Sequence, residues 1–375
     1  MRIIAFYLPQ YHPIPENNNW WGQGFTEWVN VAKSRPRFRG HYQPHIPADL
    51  GFYDLRLNDT REGQAELAKL YGINGFCYYH YWFNGKMLLE RPFNEVLNTG
   101  KPDFPFCICW ANENWTRRWD GKDQQILIKQ DYQNYDEEKH LLWLNRAFID
   151  PRYIRINNKP IFLIYRPDKI PNIGKVIIKL KNTSQKIYNT DLYICAVKSW
   201  ANTTVIDKRA IELGFDAIVD FQPNMNIDVK SNNINRLRNL PQKTINKIAD
   251  YLLKDNDVIF SEYNIYEYDT IIKKWLECEP KEKEYPCVAP GWDNSPRKKK
   301  CSIIKNNTPE KYSFWLNAAC KRVIGNEKDE QIVFINAWNE WGEGCHLEPD
   351  LKNGRAYLNA TKEVLEKGSF LDYKK

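Results

Sequence analysis

Two glutamates three residues apart, Glu340 and Glu343, are the side chains best placed to do chemistry in this 375-residue chain. They lie in the segment 339–344, NEWGEG, directly after the apolar run 332–335. Such a run is typical of a strand buried on both faces, and parallel-barrel enzymes carry their catalytic groups where strands end. One helical or turn-like step would place the two side chains roughly 5–6 Å apart at Cβ, a range in which two carboxylates act on one glycosidic bond. The alternative is a surface turn with two solvated glutamates.

Aromatic residues accompany the two acids. Trp338 and Trp341 flank them, and bulky rings beside acids suit a sugar platform better than a free loop. The whole chain is 14% aromatic, with 14 Trp and 22 Tyr. Rings in such numbers line a core, an interface or a carbohydrate cleft. The neighbourhood therefore favours chemistry on a sugar.

Eight short apolar runs predict the strands that position this pair of glutamates. Segments with helical periodicity lie between most of them. Strands that alternate with helices imply a parallel sheet, and eight strands imply closure. We predict an α/β fold, a single (β/α)8 TIM barrel with elaborated loops; the alternative is an open doubly wound sheet. The runs are 3–7, 75–79, 104–110, 160–165, 192–197, 217–221, 285–289 and 332–335.

Polar and aromatic side chains follow each of these runs. The active sites of such barrels gather at the carboxyl ends of the strands, so we predict a substrate cleft there. Five of the rings, at positions 79, 82, 110, 115 and 292, are expected to stack on sugar faces, the alternative being that some belong to the core. The predicted substrate-binding residues are Tyr7, Gln10, His12, Tyr79, His80, Trp82, Trp110, Asn112, Glu113, Trp115, Arg166, Trp292, Asp293, Trp338, Asn339 and Trp341.

Two connections are longer than the short loops that usually join the strands and helices of a barrel. Residues 13–58 contain Trp20, Trp21, Trp28 and several prolines, so we predict a lid or cleft wall. Residues 230–284, rich in Asn, Lys and Leu, are interpreted as an elaborated connection before the seventh strand. We therefore assign residues 1–375 to a single catalytic domain.

Charge and cysteine content exclude several classes of protein. The formal net charge of +7 is modest and spread along the chain, which argues against a nucleic-acid binder. The nine cysteines show no CxxC spacing and are interpreted as reduced thiols. We expect no signal peptide, and the sequence has no apolar run of about 20 residues. We therefore expect a soluble, cytoplasmic protein.

Several catalytic and cofactor motifs are absent. The chain has no GxSxG elbow and no GxxxxGK phosphate loop, and GQG at 22–24 lacks the third glycine of a dinucleotide fingerprint. His41 and His45 have the spacing of a zinc pair on a helix, but Pro44 between them disfavours a helix. Histidines in such a loop more often form hydrogen bonds. We predict no cofactor and no metal.

Five long motifs resemble one family. They are FYLPQYHP at 6–13, WGQGFTEW at 21–28, YYHYW at 78–82, WANENW at 110–115 and PGWD at 290–293. They resemble the WbsX-like family, often called glycoside hydrolase family 99-like, and the resemblance runs from about residue 3 to 365. Its members occur in gene clusters for bacterial surface polysaccharides, and many are labelled glycosyltransferases.

More distantly, the chain is similar to the endo-α-mannosidases and endomannanases of glycoside hydrolase family 99. These are (β/α)8 barrels with a closely similar Asn-Glu-Trp-x-Glu-Gly motif. The resemblance implies that Glu343 is the general acid/base and holds a proton near neutral pH. It implies that Glu340 is ionised and deprotonates the sugar 2-hydroxyl, which displaces the aglycone through an epoxide-like intermediate with net retention. Gly342 stands where those mannosidases usually carry His, so a substrate contact differs.

Three functions are weighed. The leading one is retaining cleavage or transfer of glycosidic bonds in bacterial O-antigen or capsule, with an oligosaccharide or a lipid-linked glycan as substrate. The second is a glycosyltransferase that uses an activated sugar donor in O-antigen biosynthesis, although no DxD motif or glycine-rich phosphate loop is present. The third is a non-catalytic glycan-binding barrel, which has no need for two acids that repel each other.

A basic run follows the seventh strand at residues 297–300, RKKK. One hypothesis is that these cations meet the diphosphate of a lipid-linked glycan or the anionic surface of the inner membrane, where each charge is worth about 1 kcal/mol. The alternative is a solvated loop. The sequence does not indicate an oligomeric state.

Overall fold

Eight parallel strands close into a barrel in the computed structural model, which describes residues 1–117, 122–199, 202, 206, 209–225, 263–298 and 300–367. Each strand pairs with the next along the chain, and the eighth pairs with the first. The predicted (β/α)8 barrel is confirmed, and the open sheet is excluded. The strands are β1 Arg2–Tyr7, β2 Gly75–Phe83, β3 Phe106–Trp110, β4 Lys159–Ile164, β5 Tyr193–Lys198, β6 Ala217–Asp220, β7 Glu284–Val288 and β8 Ile332–Ile335.

Nine helices of the described residues surround or cover this barrel. Their ends follow local chemistry: the hydroxyl of Thr308 accepts a hydrogen bond from the backbone N–H of Lys311, and Gly72 lies just after the third helix with φ +82°. The helices are α1 Pro15–Trp21, α2 Glu27–Lys33, α3 Asn58–Leu70, α4 Arg91–Thr99, α5 Glu137–Phe148, α6 Ile173–Tyr188, α7 Tyr268–Glu277, α8 Pro309–Val323 and α9 Ala356–Lys367.

The barrel interior is filled by side chains from several strands. The ring of Phe6 in β1 contacts Tyr79, Phe221 and Phe334, at centroid distances of 5.6, 5.1 and 5.5 Å. All four rings are buried, and removal of their apolar surface from water stabilises the closed barrel. The carboxyl ends of the strands therefore stand on a packed core.

Short strands decorate the barrel. Strands Lys86–Leu88 and Arg155–Ile156 extend its sheet, and three small sheets join Trp115–Arg117 to Lys122–Ile128, Tyr263–Glu267 to Cys301–Lys305, and Asn339–Glu340 to Cys345–His346. Of the predicted connection 230–284, residues 230–262 lie outside the described residues. The assignment of one domain stays a prediction.

Two expectations from composition can be compared with the structure. All nine cysteines are free, as predicted; eight are buried, and Cys278 is exposed. Within the described ranges, no helix has the length and apolar character needed to cross a lipid bilayer.

Candidate active site

A cleft of about 200 Å³ opens where the strands end. Segments that follow six of the eight strands, together with the end of β2, supply its walls, so the predicted placement of a cleft above the barrel agrees with the structure. Six of the lining side chains are aromatic. The cleft is lined by Leu8, Gln10, Trp21, Tyr79, Tyr81, Ala111, Glu113, Asn114, Trp115, Thr116, Leu127, Tyr165, Phe221, Arg297, Glu340 and Glu343.

One arginine holds three carboxylates at the floor of this cleft. Nη2 of Arg297 lies 2.9 Å from Oε2 of Glu340, and Nη1 lies 2.9 Å from Oε1 of Glu343. Nε donates to Oε1 of Glu27 at 2.7 Å. Both predicted catalytic acids thus bind the same guanidinium, whose planar set of donors suits several carboxylates at once. We name Glu27, Arg297, Glu340 and Glu343 the charge cluster.

Glu27 enters the cluster from the connection 13–58. It is the first residue of α2, and its backbone N–H donates to the carbonyl of Gln10 at 3.0 Å. Its side chain is fully buried. A Cβ at Gly342 would lie 1.9 Å from Oε1 of Glu27 and 2.8 Å from Nε of Arg297. The absence of a side chain at position 342 therefore provides the space in which Glu27 meets Arg297.

The loop after β8 holds the two catalytic candidates through backbone contacts. Asn339 accepts a hydrogen bond from the backbone N–H of Leu8 at 2.7 Å and donates to the Leu8 carbonyl at 3.0 Å. The carbonyl of Glu343 accepts from the backbone N–H of Asp293 at 2.6 Å. Gly344 follows with φ +57°, and a Cβ there would approach Cβ of Asp293 to 2.9 Å. The pair is thus tied to the ends of β1 and β7.

Burial raises the pKa of Glu340 to about 8. The charge of Arg297 opposes this shift, while the charges of Glu343 and Glu27 add to it. Burial would also lower the pKa of Arg297, but the three carboxylates outweigh it and raise that pKa well above its ordinary value. One permanent cation thus faces three acids. Burial thus favours the protonated form of Glu340, whereas the resemblance implies an ionised Glu340 near neutral pH, and that role stays a prediction.

The hypothesis for the basic run 297–300 is wrong for its first residue. Arg297 is buried in the charge cluster, so it offers no free cation to a diphosphate or a membrane. The backbone N–H groups of Arg297 and Lys298 donate to the carbonyl of Asn294 at 3.1 and 3.0 Å, which turns the chain inward. Lys300 is exposed, and Lys299 lies outside the described residues.

We expect Gly342→Ala to lower the free energy of unfolding by about 1–3 kcal/mol, because a methyl group inserted into a packed site forces neighbours to move. The neighbour here is the buried carboxylate of Glu27. Displacement of Glu27 also releases one of the three partners of Arg297, so turnover should fall. Denaturant unfolding and steady-state kinetics measure the two effects.

Two variants test the cause of this effect. Gly325→Ala is the matched control, since a Cβ at Gly325 meets nothing within 4 Å. In a Glu27→Ala background the cost of Gly342→Ala should shrink, because the two changes act on one contact and their effects are not additive. Equal costs in both backgrounds would contradict this role of Gly342.

Only part of the predicted binding set lies on the cleft. Gln10, Tyr79, Glu113 and Trp115 line it beside the two glutamates; that they bind substrate stays a prediction. Arg166 stands behind the wall, where it pairs with Glu113 at 2.6 Å and with Asp168 at 2.7 Å. It therefore positions Glu113 within the wall.

A first group of predicted binding residues lies instead under the helices or in the core. His80 stacks on Trp143 of α5 at 4.3 Å, and Trp82 stacks on His140 of α5 at 4.5 Å. Trp110 is 1% exposed and donates through Nε1 to the carbonyl of Trp82 at 3.2 Å. These side chains take the outward face of their strands, which the helices cover, and this placement corrects the prediction.

Residues at the first strand need the same correction. The hydroxyl of Tyr7 donates to Gln64 of α3 at 2.7 Å, so this side chain faces the helical layer. His12 is 1% exposed, and burial lowers its pKa to about 4. Neither residue lines the cleft, because both are enclosed by the surrounding protein.

The polar residues Asn112, Asn339 and Asp293 serve as ties between segments. Asn112 accepts from the backbone N–H of Arg166 at 2.7 Å and donates to its carbonyl at 2.8 Å, which joins the ends of β3 and β4. Asn339 makes the equivalent pair of bonds to Leu8. Asp293 accepts hydrogen bonds from the side chains of His41 and Gln43, each at 2.6 Å. The side-chain polar groups of these three residues thus form hydrogen bonds with neighbouring segments of the protein.

Three tryptophans also pack away from the cleft. Trp338 is fully buried against Phe76 at 5.2 Å. Trp341 stacks on His346 at 3.7 Å and donates through Nε1 to Glu348 at 2.6 Å. Trp292 is half-buried against the core. The predicted flanking of the acids by Trp338 and Trp341 is therefore a packing role.

Six residues near the acids are not among the predicted catalytic and substrate-binding residues. Glu27 belongs to the motif WGQGFTEW and Arg297 to a basic run, and neither type of signal distinguishes a buried charge from a solvated one. Tyr81 and Tyr165 stand directly beside residues that were selected. The six are Trp21, Glu27, Tyr81, Tyr165, Phe221 and Arg297.

Comparison with known proteins adds an independent finding. The model of the family described as Glycosyltransferase WbsX matches residues 3–361. WxcX of Xanthomonas campestris pv. campestris, described as an uncharacterized protein, is 39% identical over 365 residues, which cover 97% of this chain and 49% of WxcX. The chain thus spans about half the length of the curated relatives it matches.

Two solved structures share the fold. The family 99 endo-α-mannosidase of Bacteroides thetaiotaomicron has 14% identity and a TM-score of 0.54, covering 98% of this chain and 96% of that one. A structure described as a glycoside hydrolase-like protein has 14% identity and a TM-score of 0.55, covering 97% and 93% of the two chains. At such identities the likeness shows the fold alone.

Proposed function

Because the chain belongs to the Glycosyltransferase WbsX family, a carbohydrate-active family, we propose that it is an enzyme that cleaves or transfers glycosidic bonds of bacterial surface polysaccharide with retention of configuration. The family is the one that the sequence motifs indicate. The substrate is an oligosaccharide or a lipid-linked glycan of O-antigen or capsule. A cytoplasmic location and contact with the inner membrane stay hypotheses.

The observation that carries this proposal is the pair Glu340 and Glu343, which share one guanidinium on the wall of an aromatic cleft. Their side chains are exposed by 7% and 22%, so the second is the more accessible to a leaving group. This difference supports Glu343 as the general acid/base, with Glu340 as the base for the sugar 2-hydroxyl. Rings such as Tyr79 and Trp115 offer faces on which a sugar can stack.

The proposed reaction has two steps. Glu343 gives its proton to the glycosidic oxygen while the carboxylate of Glu340 takes the proton of the 2-hydroxyl. The 2-oxygen then bonds to the anomeric carbon as the bond to the leaving group breaks, which forms a 1,2-epoxide. In the second step Glu343 deprotonates water or an acceptor hydroxyl, which opens the epoxide at the anomeric carbon, and Glu340 returns the proton to the 2-oxygen. Two inversions give net retention.

A second candidate, suggested by the family description, is transfer from a nucleotide-activated donor. The charges of the cleft disfavour it, because a diphosphate would face Glu113, Glu340 and Glu343. Arg166 and Arg297 are already paired with carboxylates. The third candidate is a non-catalytic barrel that only binds glycans. It does not explain why Glu340 and Glu343 both bind Arg297, since burying such charges costs free energy.

A binding experiment discriminates among these candidates. Manno-configured iminosugars and nucleotide sugars are titrated by calorimetry into the intact protein, Glu340→Gln and the surface control Glu366→Gln. We expect iminosugars to bind the intact protein and the control and to bind Glu340→Gln at least tenfold more weakly, since a cationic sugar mimic needs the acid pair. Binding of a nucleotide sugar in the same cleft, competitive with iminosugars, would overturn the proposal in favour of the donor-dependent transferase.

A further inference from the structure

Three side chains of the types that ligate metal ions converge outside the cleft, between the connection 13–58 and the loop after β8. Nδ1 of His45 lies 2.8 Å from Nε2 of His346, and Oδ2 of Asp350 lies 3.9 Å from that same Nε2. Donor atoms from all three residues lie within 4.8 Å of one another. Two imidazoles and a carboxylate form a ligand set that suits zinc.

The hydrogen bonds around these residues orient them as metal ligands are usually oriented. Nδ1 of His346 lies 2.9 Å from the carbonyl of Glu348, which can only accept, so the proton of this imidazole is on Nδ1. The lone pair of Nε2 therefore points at His45 and Asp350. A ligating histidine commonly donates its other N–H to a backbone carbonyl in this way, because that bond fixes the tautomer and the ring.

The carboxylate of Asp350 is held by its own loop. Oδ1 accepts the backbone N–H groups of Lys352 and Asn353 at 2.9 and 2.6 Å. Oδ2 accepts the side-chain amide of Asn353 at 3.1 Å, and it lies beyond hydrogen-bond distance of His346. One carboxylate oxygen thus anchors the loop, while the other faces the imidazole pair and keeps capacity for a cation.

Metal binding requires neutral imidazoles. Burial lowers the pKa of His45 to about 3, and the neighbouring His346 lowers it further, while Asp293 and Asp350 oppose the shift. Burial also lowers the pKa of His346 against the opposing charge of Asp350. With Nε2 of His346 unprotonated, the 2.8 Å contact places a proton on Nδ1 of His45, and this proton must move to Nε2 of the same ring before Nδ1 can bind an ion.

We propose that His45, His346 and Asp350 bind one divalent cation of the zinc type, with a fourth position left for water. Zinc–nitrogen bonds of about 2.0–2.1 Å in tetrahedral geometry set two ligand nitrogens roughly 3.4 Å apart. The two imidazole nitrogens must therefore separate by roughly half an ångström. The carboxylate oxygen must approach both of them, from 3.9 Å at His346 and from within 4.8 Å at His45. The alternative is that His45 and His346 only form a hydrogen bond with each other and bind no ion.

Such an ion joins the connection 13–58 to the loop that carries the acids. His346 lies in the strand Cys345–His346, which pairs with Asn339–Glu340, and its ring stacks on Trp341. His45 follows Gln43, which holds Asp293. The structure also separates the two histidines whose spacing resembles a zinc pair, because His41 binds Asp293 and only His45 reaches the proposed site. The ion is thus a structural clamp beside the cleft.

The test measures binding and stability without activity. The 375-residue chain is stripped with a chelator, titrated with Co²⁺ under visible absorption, and competed with Zn²⁺; thermal unfolding is recorded with and without Zn²⁺. We expect one equivalent of Co²⁺, ligand-field bands of a four- or five-coordinate site, displacement by Zn²⁺, and a Tm raised by Zn²⁺.

Three variants show whether these residues bind the ion. His45→Ala and Asp350→Asn should weaken binding by roughly 100-fold or more and should lose the Tm rise, since loss of even an outer partner costs 10–100-fold. Asp350→Asn keeps the oxygen that anchors the loop, so it remains folded. His41→Gln, the matched control, should bind like the intact protein. Absence of Co²⁺ uptake by the intact protein, or equal uptake by His45→Ala and Asp350→Asn, would overturn the proposal.

Discussion

Arg297→Met should lower the free energy of unfolding by about 3–5 kcal/mol at pH 8, because removal of one partner from a buried ion pair leaves an uncompensated charge. Here the three carboxylates of Glu27, Glu340 and Glu343 would lose their shared cation together. Methionine keeps most of the apolar stem, so the loss reports the charge more than the volume. Urea unfolding of the intact protein and the variant measures it.

The size of this effect should depend on pH in a definite direction. The ordinary pKa of a glutamate is about 4.3, and that of Glu340 in the folded protein is about 8. Between these values the folded state binds more protons than the unfolded state, so stability falls as pH rises. Without Arg297 the pKa of Glu340 rises further, so the range over which stability falls extends to higher pH. The deficit of Arg297→Met should therefore be small at pH 5 and grow toward pH 9.

A surface ion pair provides the control for this measurement. Arg56 binds Asp54 at 2.7 Å with 39% of its side chain exposed, so Arg56→Met should cost less than about 1 kcal/mol. It should also show little pH dependence in the same window. Similar costs for the two substitutions, or a deficit at position 297 that does not change with pH, would show that the charge cluster contributes no special stability.

Glu343→Gln should abolish turnover of substrates with poor leaving groups while sparing part of the activity on aryl glycosides, whose departure needs no proton. A general acid typically accelerates its reaction 10²–10⁴-fold. Turnover of substrates with poor leaving groups should therefore fall by a factor in that range. Glu340→Gln should damage both substrate types, because it removes the base that activates the attacking 2-hydroxyl. Steady-state kinetics with matched natural and aryl glycosides separate the two patterns.

Two further readouts test the role of Glu340. A 2-deoxy substrate should be inert even with the intact enzyme, since it lacks the hydroxyl that attacks. Because Glu340 must be ionised to act and its pKa is about 8 in the unliganded protein, kcat/KM should rise with pH toward that value. Turnover of the 2-deoxy sugar at a rate like that of the parent would contradict the epoxide route and leave Glu340 as a direct nucleophile.

The barrel itself could be predicted from sequence, because strands that are buried on both faces consist of nearly continuous apolar residues. All eight runs correspond to barrel strands, and Thr308-Pro309 marks the start of α8. These signals are local: each depends on a few neighbouring residues. The placement of a cleft at the strand ends then follows from the parallel order of the strands.

The choice of cleft residues failed where the face of the strand was ignored. Successive side chains of a strand point to opposite sides. In β2, Tyr79 and Tyr81 face the cleft, whereas His80 and Trp82 face α5. Trp110 likewise takes the helical side of β3. A composition of aromatic residues does not distinguish these faces, but the alternation along each run does.

The charge cluster could not be predicted at all from local signals. Glu27 and Arg297 are 270 residues apart in sequence, and their contact depends on how two long connections fold over the barrel. The basic run at 297–300 has the composition of a solvated loop, although its first residue is buried. Only the three-dimensional structure shows that Arg297 forms ion pairs with the three glutamates of the charge cluster.

The contact between Glu27 and the backbone at Gly342 also constrains how sequences of this kind can diverge. An oxygen of Glu27 occupies the volume that a side chain at position 342 would need, so neither position can change freely while the other stays. A descendant that acquires a side chain at 342 must first shorten or move the acid at 27. Such a lineage would also have to find another counter-charge for Arg297. Glycine at 342 and glutamate at 27 are therefore expected to be inherited together and lost together.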